Sequence, residues 1–126
     1  MNGSILKIAD SPSSFCAKVN ALQNNPAWRE AIWKTFYSVY IKYSVDEAHK
    51  RGFSDALVIG SFVDTALNQG GPSLGDLLSK SGNSSDEKIF LKNFYVERSK
   101  VVDTNRYNQA PNGMKRVKQW NDLLDM

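Results

Sequence analysis

Cysteine and histidine each occur once in these 126 residues, as Cys16 and His49. One cysteine excludes a disulfide framework and any cysteine-rich zinc site within the chain. One histidine excludes every site that needs two, including the H-E-x-x-H pattern. No apolar run approaches the roughly 18 residues of a membrane-spanning helix, so no span is expected. The first residues have neither the basic start nor the apolar core of a signal peptide. Alternating polar and apolar stretches of useful length are also missing, which argues against strands. Repeats and low-complexity tails are absent too. What remains is ordinary globular composition, with 41% hydrophobic and 23% charged residues. The length suits one helical domain over residues 1–126, with residues 1–10 as a flexible start. It is too short for most two-lobed enzymes to be complete.

Charge of one sign is only mildly in excess, with 16 Lys and Arg against 13 Asp and Glu. The excess gathers in residues 98–118, where Arg98, Lys100, Arg106, Lys115, Arg116 and Lys118 face one acid, Asp103. A solvated surface explains this, and so does attraction to a polyanion. Nucleic acid is not the expected partner, because the aromatics fall at helical spacing rather than as stacking platforms on loops or strands.

The four prolines punctuate helices. Ser11-Pro12 opens a first helix carrying Phe15, Val19 and Leu22. Asn25 caps a second with Pro26 at its first position, where the missing N–H costs nothing. From there Trp28, Ile32, Trp33, Phe36, Val39, Tyr40 and Tyr43 form a wide apolar stripe, read as core with an exposed edge that could stack on a pyranose ring. Ser44-Val45-Asp46-Glu47 reads as a capping box for a short helix that Gly52 ends. Ser54 or Asp55 caps the next helix, which runs to about Asn68 and stops at Gly70-Gly71-Pro72. A short helix follows around Leu74, Leu77 and Leu78, and residues 82–85 form a loop. Asp86-Glu87 places negative charge at the start of a helix with Ile89, Phe90, Leu91, Phe94, Val101 and Val102. Pro111-Asn112-Gly113 breaks the chain before a last helix with Met114, Val117, Trp120, Leu123 and Leu124. The expected class is all-α, a compact bundle of six or seven helices around a buried central one.

That central helix, residues 56–69, is apolar nearly all round. Its polar residues Ser61, Asp64, Thr65 and Asn68 fall at i, i+3, i+4 and i+7, a single narrow stripe. Asp64 carries the segment's only charge, and a carboxylate in so apolar a setting needs a cation or several donors. Arg98 shares a face with Leu91, Phe94 and Val101, which implies a buried acceptor for its guanidinium. Arg116 lies on the Trp120/Leu123 side of the last helix. These residues predict an Asp64–Arg98–Arg116 network between three helices, which can fix helix register, support a site, or do both. Ser61, Thr65 and Asn68 are candidates to line a groove beside it. His49 reads as a solvated helix residue and Cys16 as a small core or half-exposed one. Gly70-Gly71 lacks the Lys and Ser/Thr of a phosphate loop, so a helix stop is the better reading. No cofactor or metal is called for.

An ordered series of segments carries a family resemblance. Residues 26–48, then Gly52-Phe53 and Ala56-Leu57, lead to Phe62-Val63-Asp64-Thr65-Ala66 and Gly70. Asp86 to Phe94 and Glu97-Arg98 follow. Together they resemble the C-terminal lobe of bacterial chitosanases of the lysozyme superfamily. The stretch from Arg106 to Val117 is similar to the last helix of phage-type lysozymes.

The resemblance implies glycoside hydrolysis by two carboxylates, one protonating the leaving oxygen and one activating water. It implies that Asp64, Arg98 and Arg116 form a charge network reaching toward the general-acid Glu of another lobe. The family's two catalytic carboxylates lie in its N-terminal lobe, on a helix end and a β-hairpin that have no counterpart here. Glu30, Glu47, Glu87 and Glu97 match positions with no catalytic role, so no catalytic residue is assigned. Gln69 stands where the family has His, and the loop after Gly70 is shorter.

The expected function is therefore the substrate-binding lobe of a glycan hydrolase that acts with a missing N-terminal lobe or parent protein. The basic segment favours peptidoglycan over a polycationic chitosan-like glycan. That would suit a phage-encoded protein or one delivered to the cell wall by another system. Two alternatives are a non-catalytic lysozyme-like module that binds wall glycan or a protein, and an unrelated helical interaction domain.

Overall fold

The computed structural model describes residues 11–104 and 111–126. The start expected to be flexible, residues 1–10, lies outside the described residues, as does Arg106. The described residues form seven α-helices and one π-helical segment, with no strand among them. The chain divides into two units, one ending at Tyr37 and the other spanning Ser38–Met126.

In the first unit, α1 (Pro12–Leu22) and α2 (Pro26–Phe36) begin as their sequences dictate. Ser11 Oγ accepts from the Ser14 amide at 3.1 Å, and Asn25 Oδ1 from the Trp28 amide at 3.2 Å. Each cap satisfies a donor that a helix start leaves free, and each proline follows its cap. Arg29 braces the turn between them, its Nε donating to the Gln23 carbonyl at 2.6 Å. Neither helix contains a buried residue. This corrects the reading of the Trp28–Phe36 stripe as core, since Ile32 is 48% and Trp33 60% exposed. Two 11-residue helices are too few to enclose side chains of this size. Cys16 is exposed as well.

The π-helical segment Tyr37–Lys42 is followed directly by α3 (Tyr43–Lys50). The capping box expected at Ser44 is absent. Ser44 is buried, and its hydroxyl donates to the Tyr40 carbonyl at 2.6 Å, four residues back inside the helix. Gly52 ends the helix at φ +76°, and His49 is exposed. α4 (Ala56–Gln69) is capped by Asp55, whose Oδ1 accepts from the Leu57 amide. Gly70 alone joins it to α5 (Gly71–Lys80), at φ +90° and ψ 155°, a conformation open in practice only to glycine. α6 (Glu87–Ser99) is capped by Asp86, and α7 (Asn112–Leu124) closes the chain.

Gly113 does not break the chain as expected but sits buried in the first turn of α7. The Asp103 carboxylate accepts from the Gly113 amide at 3.0 Å and the Met114 amide at 2.9 Å, serving as a cap from ten residues away. A Cβ on Gly113 would lie 2.5 Å from Asp103 Oδ1 and 2.7 Å from Val102 Cγ2, so only glycine allows this approach.

The core of the second unit gathers Phe53, Val58, Phe62, Ala66, Leu74, Leu77, Leu78, Phe90, Leu91, Phe94 and Val102, all nearly inaccessible. α4 packs against α3 and α5, and α6 against α5 and α7. The Phe62 and Phe94 rings meet at 5.4 Å and the Phe53 and Phe90 rings at 5.1 Å, both tilted as aromatic quadrupoles prefer. Tyr40 and Tyr43 pack against this core, so one end of the apolar stripe is interior after all. No described helix is long and apolar enough to cross a membrane.

Candidate functional site

One polar cluster lies in this apolar interior, at the meeting of α4, α6 and α7. Arg98 on α6 is 0% exposed, and its planar fork points at the last turns of α4. Nη1 donates to Asp64 Oδ2 at 2.9 Å, Nη2 to Asn68 Oδ1 at 3.0 Å, and Nε to Gln69 Oε1 at 2.8 Å. Arg116 on α7 donates from Nε to Asp64 Oδ1 at 2.6 Å. Asp64 thus receives one guanidinium on each oxygen and is itself 13% exposed, while Arg116 is 43% exposed. The three charged side chains expected to meet do so. The cluster runs from a sealed guanidinium through one carboxylate to a guanidinium that reaches solvent.

Burial pulls the Arg98 guanidinium below the ordinary arginine value, with Asp64 opposing and Arg116 adding to the effect. Two cations share one carboxylate, so the cluster carries a net positive charge. Removing Asp64 would leave the sealed Arg98 without a counterion, whereas removing Arg116 would leave Asp64 still paired with Arg98.

Ser61 and Thr65 are not groove residues. Both are fully buried, the Ser61 hydroxyl pairing with the Tyr95 hydroxyl at 2.6 Å and Thr65 Oγ1 donating to the Ser61 carbonyl at 2.8 Å. They lie deeper in the core than a groove wall, at the sealed end of the polar stripe. Asn68 is half-buried and bound to Arg98. Two members of the cluster were not anticipated. Tyr95 was not singled out in the sequence, and burial raises its phenol above the ordinary tyrosine range. Gln69 was noted only as a departure from the family pattern. It falls four residues after Thr65 and eight after Ser61, on their side of α4, a position that helical periodicity could have flagged. Its Nε2 is the one buried side-chain polar atom with no partner among the described residues.

Four of the six cations gathered in residues 98–118 have a carboxylate partner. Beyond the two arginines on Asp64, Lys100 pairs with Glu97 at 2.8 Å and Lys118 with Asp122 at 2.6 Å. Asp103 is occupied by backbone amides. The glutamates are engaged too. Glu30 pairs with Lys34, Glu47 with Lys50 and Arg51, and Glu87 accepts from the Ser54 amide at 3.0 Å. A shallow groove of about 560 Å³ runs between α6 and α7, with Tyr95, Val96, Met114 and Val117 along it and Lys92, Lys100 and Lys118 at its rim. No group of three or more potential metal ligands occurs among the described residues.

Compared with known proteins, the chain is 59% identical over its whole length to a chitosanase of Niallia circulans. The chain matches a C-terminal part of a chitosanase. It spans 43% of that protein's length. The chitosanase match and the all-α fold agree with the resemblance carried by residues 26–98. No family model matches the chain.

Proposed function

We propose that the chain is a helical lobe of a chitosanase-like glycoside hydrolase, with both catalytic carboxylates supplied by polypeptide outside these residues. The observation that carries this is the 59% identity along the entire chain to a portion of a chitosanase. The occupied state of the carboxylates supports it. Glu30, Glu47, Glu87 and Glu97 hold ion pairs or a backbone amide, and both Asp64 oxygens are taken by arginines.

The substrate we propose is a chitosan-like glycan. The case for peptidoglycan rested on positive charge gathered in residues 98–118, and four of those six cations have carboxylate partners. In this reading the Asp64–Arg98–Arg116 cluster is a positioning device. The sealed Arg98 anchors Asp64, and Asp64 holds the half-exposed Arg116 at the surface.

The test is a hybrid in which this chain replaces the matching portion of the Niallia circulans chitosanase. The hybrid is expected to release reducing ends from chitosan and not from peptidoglycan, and the 126-residue chain alone from neither. Hydrolysis by the chain alone would overturn the placement of the acid and base. A folded but inactive hybrid would favour a non-catalytic binding module. Activity on peptidoglycan would restore the other substrate. Arg116→Gln in the hybrid separates support of a site from register alone. It is expected to lower kcat on the order of ten- to a hundredfold, with little change in melting temperature because the side chain is 43% exposed. An unchanged kcat would leave the cluster a structural one.

A further inference from the structure

We infer that Asp103 is a positioning residue for Arg116: it caps α7 from beyond the end of α6 and so sets where the half-exposed guanidinium stands. The inference rests on the reading of Arg116 as support for a site and deepens it by naming what holds that residue in place. A helix start is ordinarily capped by its own flanking residue, which fixes the helix end and nothing else. At α7 that residue is Pro111, whose side chain makes no cap hydrogen bond. The Gly113 and Met114 amides, two of the donors a helix start leaves free, go to the Asp103 carboxylate instead. A carboxylate also suits the positive end of the helix dipole.

Asp103 is itself tied to Arg98. The Arg98 carbonyl accepts from the Val101 amide at 3.1 Å and the Val102 amide at 3.0 Å, and Val102 is sealed in the core. The links close a ring. Asp64 holds the Arg98 side chain, the Arg98 backbone holds the turn that carries Asp103, Asp103 holds the first turn of α7, and Arg116 returns to Asp64. The last link is the weak one. Arg116 meets Asp64 through Nε, but its side chain is 43% exposed, and an ion pair so open to water restrains little on its own. Its placement must come from the backbone. Arg116 lies three residues beyond Gly113, less than one helical turn, so a displacement of the helix start reaches it undiminished. Gly113 leaves that start no slack, since it sits too close to Asp103 and Val102 for any side chain.

Two readouts test this. In the 126-residue chain, magnetic resonance follows the Nε–H protons of Arg98 and Arg116. Asp103→Ala is expected to speed exchange of the Arg116 proton at least about tenfold. The Arg98 proton, sealed and bound to Gln69, should be unchanged. Asp103→Asn keeps one accepting oxygen and should fall between wild type and alanine, and it serves alone if the alanine variant does not fold. A cap that merely stabilises would speed both arginines alike or neither, and either pattern overturns the inference. In the hybrid, Asp103→Ala is expected to lower kcat on the order of tenfold with KM within about twofold. It should cost nothing more once Arg116→Gln is present. A further loss in the double variant means that Asp103 acts through something else, which overturns the inference. Should Arg116→Gln leave kcat unchanged, the site reading fails, and exchange in the chain alone still decides whether Asp103 places Arg116.

Discussion

The first unit and the second are built from helices of similar quality and differ in what those helices enclose. α1 and α2 have side-chain caps and prolines at their first positions, yet bury nothing. α4 and α6 have caps no better, and they surround a core of phenylalanines, leucines and a sealed arginine. Helix ends are local chemistry, decided within four residues. Burial depends on how many elements converge, and two helices are too few. Apolar spacing alone therefore says that a face will be covered, without saying by what.

Variants can break or sharpen this contrast, and the largest effects belong to the second unit. Arg98→Met or Asp64→Asn should lower its stability by about 3–5 kcal/mol, because each strands a desolvated partner. Denaturant unfolding followed by circular dichroism measures the loss. An Asp64→Asn variant of unchanged stability would show that the pairing carries no weight. Gly113→Ala is expected to cost about 1–3 kcal/mol by overpacking, since the new methyl meets Asp103 and Val102 at under 3 Å.

A smaller effect is tied to pH. Burial raises the Tyr95 phenol, so the unfolded chain releases that proton first. The contribution is whole below the ordinary tyrosine value near about 10 and is lost as pH rises through the folded value. Stability should therefore fall more steeply above that pH in the wild type than in Tyr95→Phe, and parallel curves would contradict the assignment. The smallest effect should come from the first unit. Trp33→Ala in the chain alone is expected to shift stability by no more than about 0.5 kcal/mol, although it removes the larger side chain. A cost comparable to that of Arg98→Met would mean that Trp33 is interior, and the contrast would fail.

Much of this architecture was legible in the residues. Asn25 announced its helix as a cap, Ser54 or Asp55 offered a cap of which Asp55 is the one used, and Asp86-Glu87 announced theirs by charge, all of them short-range signals. Arg98 announced a buried acceptor because a charge on an apolar stripe has no other resolution. What stayed hidden involved distance or competition. Asp103 caps a helix at a residue ten positions further on, beyond the reach of local capping signals. Ser44 carries the spacing of a capping box, but its hydroxyl is taken by the Tyr40 carbonyl. Tyr95 and Ser61 are 34 residues apart and find each other only once α4 and α6 have packed.

The fork of Arg98 has one further consequence. Its three acceptors come from positions 64, 68 and 69 of a single helix, and all three must be in phase with it at once. Slipping α4 by one residue would swing those acceptors through about 100° and leave a guanidinium with no counterion in a dry interior. A hydrophobic surface would tolerate such a slip by repacking. The arginine is expected not to, so that a register-shifted assembly of these helices would be penalised by the charge it leaves unsatisfied.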